Sequence, residues 1–153
     1  MLSTPPSKSK GLNKRSNPFW TSGGKLLSSH RLIDLQTQKT LTGRVLIADT
    51  PRKRAFGLLT LPPLAENEVL WLEPCNGIHT LGMKYTIDVI SLDRSGVILA
   101  LNEKVRPFRF VFFRRHVRTT LEARSGFIAR HRLHIGQKIA LITEEKTQGL
   151  STD

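Results

Sequence analysis

Ile87-Asp88-Val89-Ile90-Ser91-Leu92-Asp93-Arg94-Ser95-Gly96-Val97-Ile98-Leu99-Ala100-Leu101 is the stretch that decides the fold. Two apolar runs, Ile87 to Leu92 and Val97 to Leu101, are rich in branched residues that fit a pleated surface. Between them, Asp93 can hydrogen-bond its own backbone and Gly96 is free of the restriction a Cβ imposes. The spacing predicts an antiparallel hairpin with Asp93 as a turn residue. Side chains alternate along a strand, so Asp88 lies on the face opposite Val89.

Short β-branched and aliphatic runs broken by turn residues continue on either side. Arg31 to Leu35 and Arg44 to Ile47 read as the first two strands, joined through Gly43. Thr50 before Pro51 is a helix start, and Arg52 to Leu59 follow as a short basic helix interrupted at Gly57 and ended by Leu61-Pro62-Pro63. Glu68 to Leu72 and Arg118 to Ala123 read as strands, Gly126 to Leu133 as a short helical turn, and Gly136 to Ile142 as a final strand. No segment repeats at a fixed period, which excludes solenoids and propellers. The expected architecture is mainly β: a compact β-barrel or sandwich-like single domain with one or two short helices, spanning residues 30–143. Residues 1–29, rich in Ser, Pro, Gly and Lys without apolar periodicity, are expected to form a disordered basic arm, and residues 144–153 a flexible tail. Phe19-Trp20 is the one aromatic pair of that arm, either docking on the domain or marking a partner patch.

With 153 residues and 39% hydrophobic content, the chain fits one globular domain. No apolar run approaches the roughly 18 residues of a membrane-spanning helix. No apolar h-region follows Met1, and the single Cys75 cannot close an intramolecular disulfide, so a cytoplasmic location is expected. Pro5-Pro6 and the scarcity of Arg argue against reading the arm as a transit peptide. The formal net charge is +12, concentrated in residues 1–31, with 6 basic and 0 acidic side chains, and in residues 101–135, with 9 and 2. These segments either attract polyanions or simply form a solvated surface that keeps the protein soluble.

Site chemistry gathers between Cys75 and Asp88. Cys75, His79 and Met83 are spaced four apart, yet Gly77 and Gly82 oppose a helix that would align them. A thiolate, an imidazole and a thioether together suit a soft ion; the plainer alternative is a buried Cys, a core-filling Met and a His bonded to backbone, so no metal or cofactor is assigned. Downstream, Arg106-Pro107-Phe108-Arg109-Phe110-Val111-Phe112-Phe113 combines cations with aromatics, the ingredients of a single-strand nucleic-acid surface. Phe108, Phe110 and Phe112 also alternate as core-facing residues of one strand would, leaving Arg109 and Arg115 on the wet face, which is the expected reading. Exposure separates the two.

Several spaced motifs carry a family resemblance: Ile47-Ala48-Asp49-Thr50-Pro51 with Arg54-Ala55 and Gly57-Leu58; His79-Thr80-x-Gly82-Met83 with Ile87-Asp88-Val89; Arg106-Pro107-Phe108-Arg109; Leu121-Glu122-Ala123; and Leu133-x-Ile135-Gly136. Over residues 40 to 142 the chain resembles the domain of unknown function 192 family. The resemblance implies a β-barrel-like domain with a short helix after an early strand, and no assigned activity. Many relatives carry an export or lipoprotein signal and a Phe-Trp-Met motif; the His-Thr-Leu-Gly-Met version here is similar to the cytoplasmic branch. Asp88, if inward beside His79, would orient the imidazole for proton transfer or polar-ligand binding. Glu122, in the Leu-Glu-Ala position, is expected to be a buried acceptor for Arg106 or Arg109.

No phosphate loop, nucleophile elbow or paired-Cys zinc frame is present. The function expected is therefore a non-catalytic binding or accessory module whose ligand pocket is built from His79, Met83, Asp88, Arg106, Arg109 and Glu122, with a small ligand or protein as partner. An RNA- or DNA-binding module using the basic arm and Arg106 to Arg118 is the alternative, and an enzyme with a His79/Asp88 site the third.

Overall fold

A computed structural model describes residues 29–112 and 115–144, so the expected arm and tail lie almost wholly outside the described residues. In chain order the elements are β1 (Ser29–Asp34), β2 (Thr40–Thr42), β3 (Arg44–Ala48), α1 (Pro51–Phe56) continuing into a 3-10 turn (Gly57–Thr60), β4 (Glu68–Leu72), β5 (Gly77–His79), β6 (Ile87–Leu92), β7 (Ile98–Val105), β8 (Phe110–Phe112), β9 (Thr119–Arg124), α2 (Phe127–His131) and β10 (Ile139–Glu144). The protein is mostly β, a single sandwich-like domain whose sheets do not close into a barrel.

The expected hairpin forms: β6 and β7 pair antiparallel. Asp93 Oδ1 accepts from the Ser95 and Val97 amides at 2.8 and 2.9 Å, which fixes the turn. Gly96 is required there because its φ is +87° and a Cβ would collide with the Ile139 carbonyl oxygen. The same turn is thereby stitched to β10, with Ile139 N–H donating to Gly96 O at 3.0 Å.

The hairpin belongs to a five-stranded sheet of order β3-β4-β9-β6-β7, flanked by a three-stranded sheet β10-β1-β2 and a two-stranded sheet β5-β8. The strands expected at Arg31 to Leu35 and Arg44 to Ile47 both form but go to different sheets: β1 pairs with β10 and β2, while β3 runs parallel to β4. A parallel neighbour needs a crossover connection, which α1 and the 3-10 turn provide. Thr50 caps α1, its Oγ1 accepting from Lys53 N–H at 3.2 Å.

Both faces of the central sheet are covered, which is why β4 and β6 are buried along their whole length. Leu121, Ala123, Ile90, Leu92, Val69 and Trp71 face a core closed by α2 and the three-stranded sheet. Leu70, Leu72, Ile87 and Val89 face a second core with Ala48, Leu58, Leu64 and Met83. Strand alternation then puts Asp88 on the first face, with Ile90, and Glu122 on the second, out of phase with Leu121 and Ala123.

Candidate functional site

A cleft of about 570 Å³ opens over the second core, between α1 with its 3-10 turn and the small β5-β8 sheet. Its walls are largely apolar, with Phe56, Leu59, Ile78, Met83 and Phe110 among them. Arg54, Asn76, His79 and Glu122 are its polar groups.

Glu122 is the chemically unusual member. It sits on β9 between Leu70 of β4 and Val89 of β6 in register, and is only 4% exposed. Its Oε2 is buried without a hydrogen-bond partner. Burial pushes the carboxyl up to about 8, so it is mostly un-ionised at neutral pH. Gly57 lies against it, where a Cβ would stand in ordinary contact 3.6 Å from Oε2, and it is the φ of +40° and ψ of −124° that call for glycine. His79, at the end of β5, contributes a second unsatisfied atom, its buried Nδ1. The Phe110 ring stands 6.3 Å from the imidazole, centroid to centroid.

Arg54 reaches the cleft from α1. Its Nη1 donates to the carbonyls of Ala48 and Glu73 at 3.5 and 3.3 Å, which holds the guanidinium against the wall. The acid nearest to it in sequence, Asp49, is engaged by Lys53 Nζ at 2.7 Å. Hydrogen bonding to Lys53 holds the Asp49 carboxyl below its ordinary value against the opposing effect of burial, with the charges of Lys53 and Arg54 adding to the lowering.

Of the residues expected to build a pocket, the structure brings His79, Met83 and Glu122 to one cleft. It does not bring Asp88, Arg106 or Arg109 there. Asp88 faces the opposite core, fully buried, so the expected His79–Asp88 pair does not form. Its Oδ1 accepts from Lys104 N–H and its Oδ2 from Gly126 and Ile128 N–H, each at 3.0 Å. These bonds tie β6 to β7 and to the start of α2. Arg106 and Arg109 are exposed, and among the described residues neither pairs with Glu122. A guanidinium on an exposed loop keeps its hydration and has no reason to enter a largely apolar cleft.

The loop carrying those arginines is held by Thr80, whose residue type and position in the sequence give no sign of that role. Thr80 N–H donates to Arg109 O at 2.8 Å, its hydroxyl donates to Arg106 O at 2.7 Å and accepts from Arg109 N–H at 2.9 Å, and its carbonyl accepts from Phe108 N–H at 2.9 Å. Phe108 is thereby fixed at φ +60° with its ring outward. Phe108 is 66% and Phe110 58% exposed, so the core expectation is corrected for both. Phe112 and Phe113 have side chains outside the described residues. The soft-ion trio does not gather either: His79 and Met83 line the cleft while the Cys75 thiol bonds Gly77 O at 3.2 Å. Among the described residues no group of three or more His, Cys, Asp and Glu side chains is arranged to hold a metal.

Arg54, Phe56 and Leu59 were missed as cleft residues. Their signal was available in a basic helix broken by a glycine, since a break there turns the chain back over the sheet.

This architecture defines a small, mostly-β, sandwich-like domain. The chain matches the DUF192 family, described as uncharacterized ACR, over residues 33–141, and it belongs to that family. It is 33% identical over 124 residues to a UPF0127 protein of Thermococcus sibiricus, covering 78% of this chain and 79% of that one. Among solved structures it is similar to a Sinorhizobium meliloti protein provisionally described as a transcription regulator, with a TM-score of 0.63, 19% identity, and coverage of 78% of this chain and 97% of that one. A protein of unknown function from Novosphingobium aromaticivorans has the same TM-score at 16% identity, covering 78% and 87%. At these identities the two structures speak for the fold alone. Among the described residues no helix is long and apolar enough to cross a membrane.

Proposed function

We propose that this protein is a non-catalytic binding module that takes a small ligand with an apolar body in the cleft over Glu122. The observation that carries the reading is the buried, unpartnered Oε2 of Glu122 at a largely apolar cleft that His79, with its unpartnered Nδ1, also lines. Orphaned polar atoms in a protein interior cost about 1–3 kcal/mol each, and a ligand that bonds them recovers that cost. Apolar walls with a few convergent polar groups and a perturbed acid are the usual composition of a small-molecule site. The domain limits of 30–143 and a cytoplasmic location belong to the same proposal, supported by the free thiol of Cys75. Protein-observed NMR with a fragment library tests it. Fragments are expected to shift the amides of residues 56–59 and 77–79; hits confined to other surfaces, or none at millimolar concentration, contradict it.

A second reading rests on the exposed Phe108 and Phe110 interleaved with the exposed Arg106 and Arg109. Such a surface suits stacking on single-stranded RNA. Anisotropy of a labelled oligonucleotide should then fall with salt at a log-log slope of about −0.7 per phosphate contacted, and Phe108→Ala should weaken binding by about 1–3 kcal/mol. Absence of binding at tens of micromolar protein removes this reading.

A further inference from the structure

The charge of the cleft says what kind of head group it accepts. Arg54 is the one lining residue carrying a fixed charge, and it has no carboxylate within ion-pair distance among the described residues. Burial keeps Glu122 mostly as the neutral acid, so it offers an O–H donor where an ionised carboxylate would offer acceptors only. A cation entering the cleft would meet the Arg54 charge and would have to ionise a carboxyl shielded from water. An anion meets a guanidinium and a donor, and hydrogen bonds to ionised groups are the stronger kind. The remaining wall, Phe56, Leu59, Ile78, Met83 and Phe110, fits a hydrocarbon chain or ring. Resting on the cleft reading above, we infer that the ligand is a small apolar carboxylic acid bound as its anion, with its head group between Glu122 and Arg54.

The surroundings of Glu122 contain few competing charges. Leu70 and Val89 are its register partners on β4 and β6. Glu68, further along β4, is taken by Arg44 and by the Ala65 amide. The 3-10 turn and β8 carry no titratable side chain, α1 supplies Arg54 with Arg52 exposed on the same helix, β5 supplies His79, and the Cys75 thiol and Tyr85 phenol pack against the same core. Lys53, also on α1, is paired with Asp49.

Calorimetric titration of the full chain with octanoate, 1-octanol and octylammonium, which share one chain and differ in charge, tests the inference. Octanoate should bind tightest at pH 7 and about tenfold more weakly at pH 9, because the donor proton is lost as Glu122 ionises. Glu122→Gln should flatten that dependence while retaining binding. Arg54→Gln should weaken octanoate about tenfold and leave 1-octanol unchanged. Octylammonium binding more tightly than octanoate, octanol matching octanoate at both pH values, or octanoate tightening as pH rises would each overturn the anion assignment while leaving the cleft reading intact. Failure of all three to bind at millimolar concentration removes the cleft reading and the inference with it.

Discussion

Asp88 and Glu122 stand one register step apart on neighbouring strands of the same sheet, both buried, and they have opposite surroundings. Asp88 accepts three backbone N–H groups and holds β6, β7 and α2 together. Glu122 leaves Oε2 without a partner and faces a cleft. A buried acid with its bonds complete is architecture, whereas one that lacks them is a destabilising group whose presence asks for another reason. Alternation along the strands is what separates them, by sending the two side chains to opposite cores.

Replacing each acid should break this comparison most plainly. Asp88→Ala orphans three amides, that of Ile128 buried and those of Lys104 and Gly126 partly so, and is expected to lose about 3–5 kcal/mol in urea denaturation. Glu122→Gln should behave in the reverse sense. Its folded value of about 8 exceeds the ordinary 4.5, so the folded form binds the proton more tightly than the unfolded one. The resulting stability is fully present below about 4.5 and lost as pH rises to about 8. The glutamine variant should therefore be more stable than the parent by about 3–5 kcal/mol at pH 9 and by under about 1 kcal/mol at pH 5.

Smaller effects sharpen the contrast. Thr80→Val removes the hydroxyl that bonds Arg106 O and Arg109 N–H and should cost about 2 kcal/mol, with hydrogen exchange rising at the Phe108 and Arg109 amides. Thr50→Ala removes the α1 cap and should cost about 1 kcal/mol in thermal unfolding.

Much of the fold was legible because local chemistry specified it. β6 and the run Glu68 to Leu72 fall where the apolar runs place them, Asp93 and Gly96 make the hairpin turn, and Thr50 caps the helix. The parallel pairing of β3 with β4 was not legible, since it depends on where α1 deposits the chain. The site was half legible. His79, Met83 and Glu122 share the cleft, but the alternation of Phe108, Phe110 and Phe112 reads as the inward rings of one strand, whereas the strand begins only at Phe110 and Thr80 clamps residues 106–109 as a loop that turns Phe108 outward. Alternation of aromatics cannot reveal a left-handed residue in their midst, and the partner expected for Glu122 was inferred from charge without knowing that both arginines lie on that loop.

The central claim is that Glu122 is a neutral, unpartnered acid at a binding cleft. Its side-chain carboxyl carbon, followed by NMR between pH 4 and pH 10, reports this directly. A midpoint near 8 that moves upward when octanoate is added is the predicted result. A midpoint near the ordinary 4.5, unmoved by octanoate, would contradict it.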